Sequence, residues 1–251
     1  MTEVSRKIFE AYHVRKSKKQ KAAFRDYLCG ELEKAGYSPK VEKKGSSHNV
    51  VVGDPERAKL LYTAHYDTCA VLPFPNFITP KRPLVAIIYS FLVLIPYFLL
   101  ILAMNLLLGL FSMQPQIHYL LSILVYGIFM LLMLCGPANR NTANDNTSGV
   151  ITVLETMQAL PQELREKVCF VLFDLEEAGL IGSMSYHSKH REASDRQIVL
   201  NADCVGDGDE VLLIPSRKLR KKHPALLEGW KEMCPQTGEK SIAVQDRGVC
   251  F

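Results

Sequence analysis

Four short clusters of potential ligands punctuate the chain: His65-Tyr66-Asp67, Asn144-Asp145-Asn146, Glu176-Glu177 and Asp203. Each follows a short apolar run that reads as a strand. One imidazole and several carboxylates, offered from four loops, can hold two divalent metals with a water between them. Hydrolysis by such a water needs a further carboxylate, not bound to metal, to take its proton and pass it on. Side chains alternate along an extended segment, so His65 and Asp67 share a face and Asp67 is expected to orient the imidazole. Adjacent Glu176 and Glu177 point to two sides, so one can bind metal while the other serves as base.

The elements that must position these residues follow from hydrophobic periodicity. Residues 4–36 read as helical, with Ile8, Tyr12, Phe24, Tyr27, Leu28, Leu32 and Ala35 as a partial apolar stripe and Gly36 as the stop. Strands are expected at 40–42, 49–52 and 59–64, the last ending at His65. A helix is expected to open at 146–149 and run to about 158. Residues 167–172 form a continuous apolar run, typical of a strand buried on both faces. A helix over 179–190 and a buried strand over 198–202 complete the pattern. Strands alternating with helices predict a three-layer α/β/α domain with a largely parallel mixed sheet. Ligands bind such sheets at the carboxyl ends of strands, where all four clusters fall.

Residues 83–139 contain no Asp, Glu, Lys or Arg. Two runs within them, about 84–111 and 117–135, each reach the ~20 apolar residues that a bilayer span needs. The break between them is polar and holds Pro115; Pro96 lies inside the first run, as membrane helices tolerate. A soluble domain of this size cannot cover so much apolar surface. The expectation is a membrane hairpin over 83–137 inserted into a discontinuous domain of 1–82 and 138–251, with the lipid bilayer as partner. Lys81 and Arg82 precede the first run, Arg140 follows the second, and the turn carries no cation. The positive-inside rule then places the domain and both termini on the cytoplasmic side. Residues 1–30 are rich in Lys and Arg without an apolar segment, so no signal peptide is expected.

Seven cysteines without paired spacing argue for free thiols in a reducing compartment. Cys69 and Cys204, near the clusters, are expected to be small buried side chains. The basic runs at 15–21 and 217–222 read as solvated faces that could also rest on anionic headgroups. A net charge of +4 does not demand nucleic acid, and no stacking aromatic pattern accompanies it, so none is expected as a partner. Residues 203–209 are acidic and Gly-rich but lack calcium-loop spacing, and read as a turn.

The clusters resemble the co-catalytic di-zinc aminopeptidase family, which also includes carboxypeptidases, glutaminyl cyclases and inactive receptor-like members. The resemblance rests on Leu61-Tyr62-Thr63-Ala64-His65-Tyr66-Asp67-Thr68, Asn144-Asp145-Asn146-Thr147-Ser148-Gly149-Val150, Phe173-Asp174-Leu175-Glu176-Glu177-Ala178-Gly179-Leu180-Ile181-Gly182-Ser183 and Leu200-Asn201-Ala202-Asp203. It covers the soluble part from about Ala22 onward, and all four motifs come in the family's order. The resemblance implies two zinc ions and a peptide substrate. It implies that His65 and Asp203 hold one zinc, Asp145 bridges both and Glu177 holds the second. Glu176 would be the general base, and Asp67 the residue that orients His65.

The family pattern ends with a further His on the second zinc, in a Ser-Asp-His context. This chain has Gly248-Val249-Cys250-Phe251 there, after a segment from Ala243 that reads as the preceding strand. The expectation is therefore a truncated product, or a variant with an incomplete second site. His187 and His190 read as surface histidines, and His223 comes too soon after Asp203. Two functions stand beside each other: a membrane-anchored zinc exopeptidase of aminopeptidase type, and a non-catalytic binding protein of the same fold. A one-zinc cyclase or deacylase relative is a third.

Overall fold

A computed structural model describes residues 1–71, 83–111, 114–208, 210–233 and 241–244. Lys81, Arg82, Ser112, Met113, Asp209 and residues 245–251, all used in the reading above, lie outside the described residues. The chain divides into two compact units: Met1–Val71 with Pro137–Asp207, and Leu72–Gly136 with Gly208–Phe251.

In the first unit the expected single N-terminal helix is two: α1 (Glu3–Ala11) and α2 (Lys18–Lys34). The reason is local. Ser17 and Gln20 form a capping box, so a helix starts afresh at Lys18. Residues 12–17 become a turn that dips into the protein. The stop at Gly36 is as expected: it sits at φ +80, and the Tyr37 amide donates back to the Leu32 carbonyl at 2.9 Å.

Strands β1 (Pro39–Lys44), β2 (Ser47–Val52) and β3 (Leu60–His65) follow. In the second unit lie α3 (Pro83–Leu110) and α4 (Pro115–Cys135). The first unit resumes with α5 (Gly149–Ala159), β4 (Val168–Phe173), α6 (Ile181–Lys189), α7 (Arg191–Arg196) and β5 (Ile198–Asn201). The five strands form one mixed sheet in the order β1-β2-β4-β3-β5. The pairs β1–β2 and β2–β4 are antiparallel; β4–β3 and β3–β5 are parallel.

Alternation along β2, β3 and β4 sends successive side chains to opposite faces. Val50, Val52, Tyr62, Ala64, Phe170 and Leu172 pack with Ile8, Phe24, Leu28, Val150, Val153 and Leu154 of α1, α2 and α5. Val51, Leu61, Cys169 and Val171 pack on the other face with Tyr186 of α6. These are the three expected layers. One expectation fails: β5 is not buried on both faces. It is the last strand of the sheet, and Val199 is 51% exposed.

Parallel pairing sets the site. His65 at the end of β3 is in register with Phe173 at the end of β4, and Thr63 with Asn201 at the end of β5. The pairing continues one step past the strands: the Tyr66 amide donates to the Phe173 carbonyl at 2.9 Å, and the Ala202 amide to the Thr63 carbonyl at 2.8 Å. Residues 65, 174–177 and 203 therefore leave the sheet at one edge.

The second unit also contains β6 (Glu210–Leu213), α8 (Arg217–Lys222), α9 (Pro224–Met233) and β7 (Ser241–Val244), with β6 and β7 paired in parallel. Helices α3 and α4 are long and apolar enough to cross a membrane, and apolar side chains such as Leu106, Phe98, Leu120 and Leu131 face outward. Between them, His118 Nδ1 meets Asn105 Oδ1 at 3.0 Å, and the Tyr97 ring packs on Tyr126 and Phe129.

Candidate metal centre

His65 is 3% exposed. Its Nδ1 lies 3.1 Å from the Asp67 carbonyl oxygen, an atom that can only accept. Nδ1 therefore carries a proton, and Nε2 is the atom presented to the site. Nε2 stands 3.2 Å from Asp145 Oδ1, 3.7 Å from Asp203 Oδ1 and 4.0 Å from Glu176 Oε2. Two groups of ligand atoms, each mutually within 4.8 Å, result: His65 with Asp145 and Asp203, and His65 with Glu176 and Glu177.

Asp67 differs from the arrangement expected of strand alternation. The chain leaves β3 at His65, so the strand geometry does not extend to residue 67. The main-chain carbonyl of Asp67 accepts the hydrogen bond from His65 Nδ1. Its carboxylate instead accepts from the Glu176 amide at 2.9 Å and the Glu177 amide at 3.2 Å. Asp67 thus fixes both the imidazole and the Glu-Glu turn. It still lies 3.6 Å from His65 Nδ1.

Asp145 sits in the irregular segment Ala143–Ser148; the Asp145–Asn146 peptide is cis. Asn146 is fully buried and joins this segment to the one bearing Asp203. Its Nδ2 donates to the Ala202 carbonyl at 3.0 Å, and its Oδ1 accepts from the Gly149 amide at 3.0 Å and the Cys204 amide at 3.3 Å. Asn144 Oδ1 accepts from the amides of Gly206 and Asp207, and Ser148 Oγ from that of Val205. A Cβ on Gly149 would collide with the Ala202 carbonyl, which explains glycine there.

The Glu176-Glu177 turn is held from below. Asp174 is buried; its Oδ1 pairs with Lys21 Nζ at 2.6 Å, and its Oδ2 accepts from the His48 amide at 3.1 Å. The backbone of Asp174 presses on Gly182, where a Cβ would strike its carbonyl. Lys21 is only 6% exposed and Arg15 is 0% exposed. Both contradict the expectation that residues 15–21 are a solvated face. Sequence reasoning missed Arg15, Lys21 and Asp174. The Ser17-x-x-Gln20 cap could have revealed the turn but not the burial.

The electrostatics ask for a cation. Burial and then the Asp145 charge push Glu177 up to about 8, and its Oε1 is a buried oxygen without a hydrogen-bond partner. Burial raises Glu176 as well; His65 opposes this, and Asp203, Asp67 and Asp145 add to it. Burial alone would lower His65, but its bonds to Asp145, Asp203 and Asp67 hold it well above the usual imidazole value. Burial would raise Asp203, yet its bond with His65 keeps it low. One imidazole among clustered carboxylates offers the nitrogen and oxygen donors that zinc accepts.

The structure brings His65, Asp67, Asp145, Glu176, Glu177 and Asp203 together; among the described residues of the first unit, no other histidine joins either group of candidate ligands. His187 is exposed on α6. His190 is more enclosed than a surface histidine, with its ring nitrogens 3.2 Å from Glu56 and 3.0 Å from Glu42. Cys69 and Cys204 are half-buried thiols, and burial raises both.

Residues 128–248 match the sequence profile of Peptidase family M28. The matched span is just under half of the chain. M28 proteins are zinc-dependent, and the donor set above is of the type they need. Among solved structures, the Legionella pneumophila LapA aminopeptidase is similar with a TM-score of 0.51 at 14% identity, covering 96% of this chain and 51% of that one. The Porphyromonas gingivalis glutaminyl cyclase is similar with a TM-score of 0.51 at 13% identity, covering 98% and 74%. The Macrostomum lignano glutaminyl cyclase gives 0.50 at 13%, covering 99% and 72%. The chain thus spans about half the length of LapA, and at such identities the likeness is one of fold. No curated protein sequence matches the chain. His65 and Asp67 fall outside the span matched to M28.

Proposed function

We propose that the chain is a membrane-anchored zinc-dependent exopeptidase of aminopeptidase type. The observation that carries this reading is the position of His65 Nε2, within 4.0 Å of Asp145, Asp203 and Glu176 carboxylate oxygens at once. His65, Asp145 and Asp203 would hold one zinc, and Glu177 with Asp145 a second. Bound zinc would acidify water and polarise the scissile carbonyl. Glu176 is the general base: its carboxylate takes the proton of the attacking water and returns it to the departing amine. Asp67 holds the Glu176 amide, so the carboxylate keeps its place as its charge changes. Glu176→Gln keeps the shape but cannot accept the proton. It is expected to cut aminopeptidase turnover by about 10²- to 10⁴-fold with zinc content unchanged. Full turnover in this variant would sink the assignment.

One observation favours a narrower reading of the same site. Both candidate ligand groups share His65, so the described residues supply one complete three-residue set at a time. That supports a one-zinc, cyclase-like relative acting on an N-terminal glutamine. Zinc stoichiometry in the same preparation separates the cases. Near two ions with release of free N-terminal residues supports the peptidase, and one ion with cyclisation of glutaminyl peptides supports the relative. No zinc supports a binding protein.

The membrane half of the proposal rests on α3 and α4, whose apolar side chains are exposed among the described residues. They would form a hairpin in the bilayer with the α/β domain on the cytoplasmic side. The protein is expected to stay with the membrane pellet through alkaline carbonate washing. Its release would refute the anchor.

A further inference from the structure

Taking a guanidinium out of water costs several kcal/mol, so a fully buried Arg needs a reason. Arg15 has 0% exposure and lies in the turn between α1 and α2, well before the span matched to M28. Its partners are main-chain carbonyls and one hydroxyl. Nε donates to the Tyr66 carbonyl. Nη1 donates to the carbonyls of Tyr12 at 2.6 Å and His13 at 3.2 Å. Nη1 and Nη2 both reach Thr147 Oγ1 at 3.1 Å. The Arg15 backbone adds two bonds to Thr68: its amide donates to Thr68 Oγ1 at 3.1 Å, and its carbonyl accepts from the Thr68 amide at 3.3 Å.

These partners sit at chosen places. Tyr66 lies between His65 and Asp67, so holding its carbonyl fixes the Tyr66–Asp67 peptide plane. Thr147 is two residues after Asp145 and next to Asn146. One planar fork therefore grips both loops whose side chains meet at the His65–Asp145 contact of 3.2 Å. The guanidinium lies over the Phe24 ring, its Cζ 5.2 Å from the centroid. A lysine could supply the charge but not the two-sided grip.

We propose that Arg15 is a positioning residue of the metal centre: it ties the 65–68 loop to the 145–147 loop at the separation that lets His65 and Asp145 share one cation. The proposal rests on the metal-centre reading above and deepens it. Arg15 touches no ligand atom itself. It acts through the Tyr66 carbonyl and Thr147, as partners behind metal ligands do.

The test is zinc affinity of the full chain in detergent, measured by competition with a chromophoric chelator, with the visible spectrum of the cobalt-loaded protein as a second readout. Thr147→Val is nearly isosteric and removes only the hydroxyl that Arg15 grips. It is expected to weaken zinc binding by about 10-fold, and Arg15→Lys by about 10- to 100-fold, with altered cobalt bands in both. Thr147→Ser, which restores the hydroxyl, should return the affinity to near the parent value. If Thr147→Val lowers the melting temperature but leaves zinc affinity and the cobalt spectrum unchanged, Arg15 is only structural and the proposal is overturned. This holds even if Arg15→Lys fails to fold. A parent chain that takes up no zinc overturns the metal-centre reading itself, and this proposal with it.

Discussion

Residues 15–21 and 217–222 are two basic runs of nearly the same composition, and they end in opposite surroundings. In the first, Arg15 and Lys21 are buried, while Lys18 and Lys19 between them stay exposed. In the second no side chain is buried; Arg217, Lys221 and Lys222 stand on the surface of the short helix α8. The difference lies in what each run meets. Arg15 finds a row of carbonyl acceptors and Lys21 finds Asp174, which also accepts from His48. A charge is tolerated inside only where fixed partners of this kind answer it. Composition therefore did not decide burial; the folded partners did. The buried cations stand behind the loops of the candidate metal centre.

The comparison can be broken at Lys21. Lys21→Met keeps most of the side-chain volume and strands the buried Asp174 carboxylate without its cation. Breaking one half of a buried pair costs about 3–5 kcal/mol, and that loss is expected in urea unfolding of the α/β domain followed by far-UV circular dichroism. Asp174→Asn on the same background removes the stranded charge and keeps an acceptor for the His48 amide. It should regain about 1–3 kcal/mol. A Lys21→Met loss below about 1 kcal/mol would mean that Lys21 behaves like a surface cation and that the two runs do not differ in kind.

What the sequence disclosed, and what it hid, follows the range of the interactions involved. The strands ending at His65, Phe173 and Asn201 were legible because apolar runs of that length bury on both faces of a parallel sheet. Parallel register then brings residues 65, 176, 177 and 203 to one edge without further information. The two long apolar helices α3 and α4 were legible from the lack of charge over residues 83–139. Strand alternation misplaced the Asp67 carboxylate, since the strand stops two residues earlier. The apolar run at 198–202 was read as a buried strand, although such a run does not reveal that β5 is the last strand of the sheet among the described residues. Arg15 and Lys21 were hidden for a deeper reason. Their partners Thr147 and Asp174 lie 132 and 153 residues away in sequence, and no local pattern reports such contacts.

The smallest effect is expected in the second run. Lys221 and Lys222 are exposed and lie in the last turn of α8, whose carbonyl end is partly negative. Removing a cation there forfeits a dipole interaction of about 0.3–1 kcal/mol at low salt, and less once ions screen it. Alanine has the higher helix propensity, which offsets part of that loss. Lys221→Ala and Lys222→Ala should therefore each shift unfolding free energy by no more than about 0.5 kcal/mol, with the shift shrinking as salt rises. Zinc affinity should not change, because neither residue is one of the candidate ligands. A loss above about 2 kcal/mol at either position would show that this run, too, answers a fixed buried partner, and the contrast with residues 15–21 would fail.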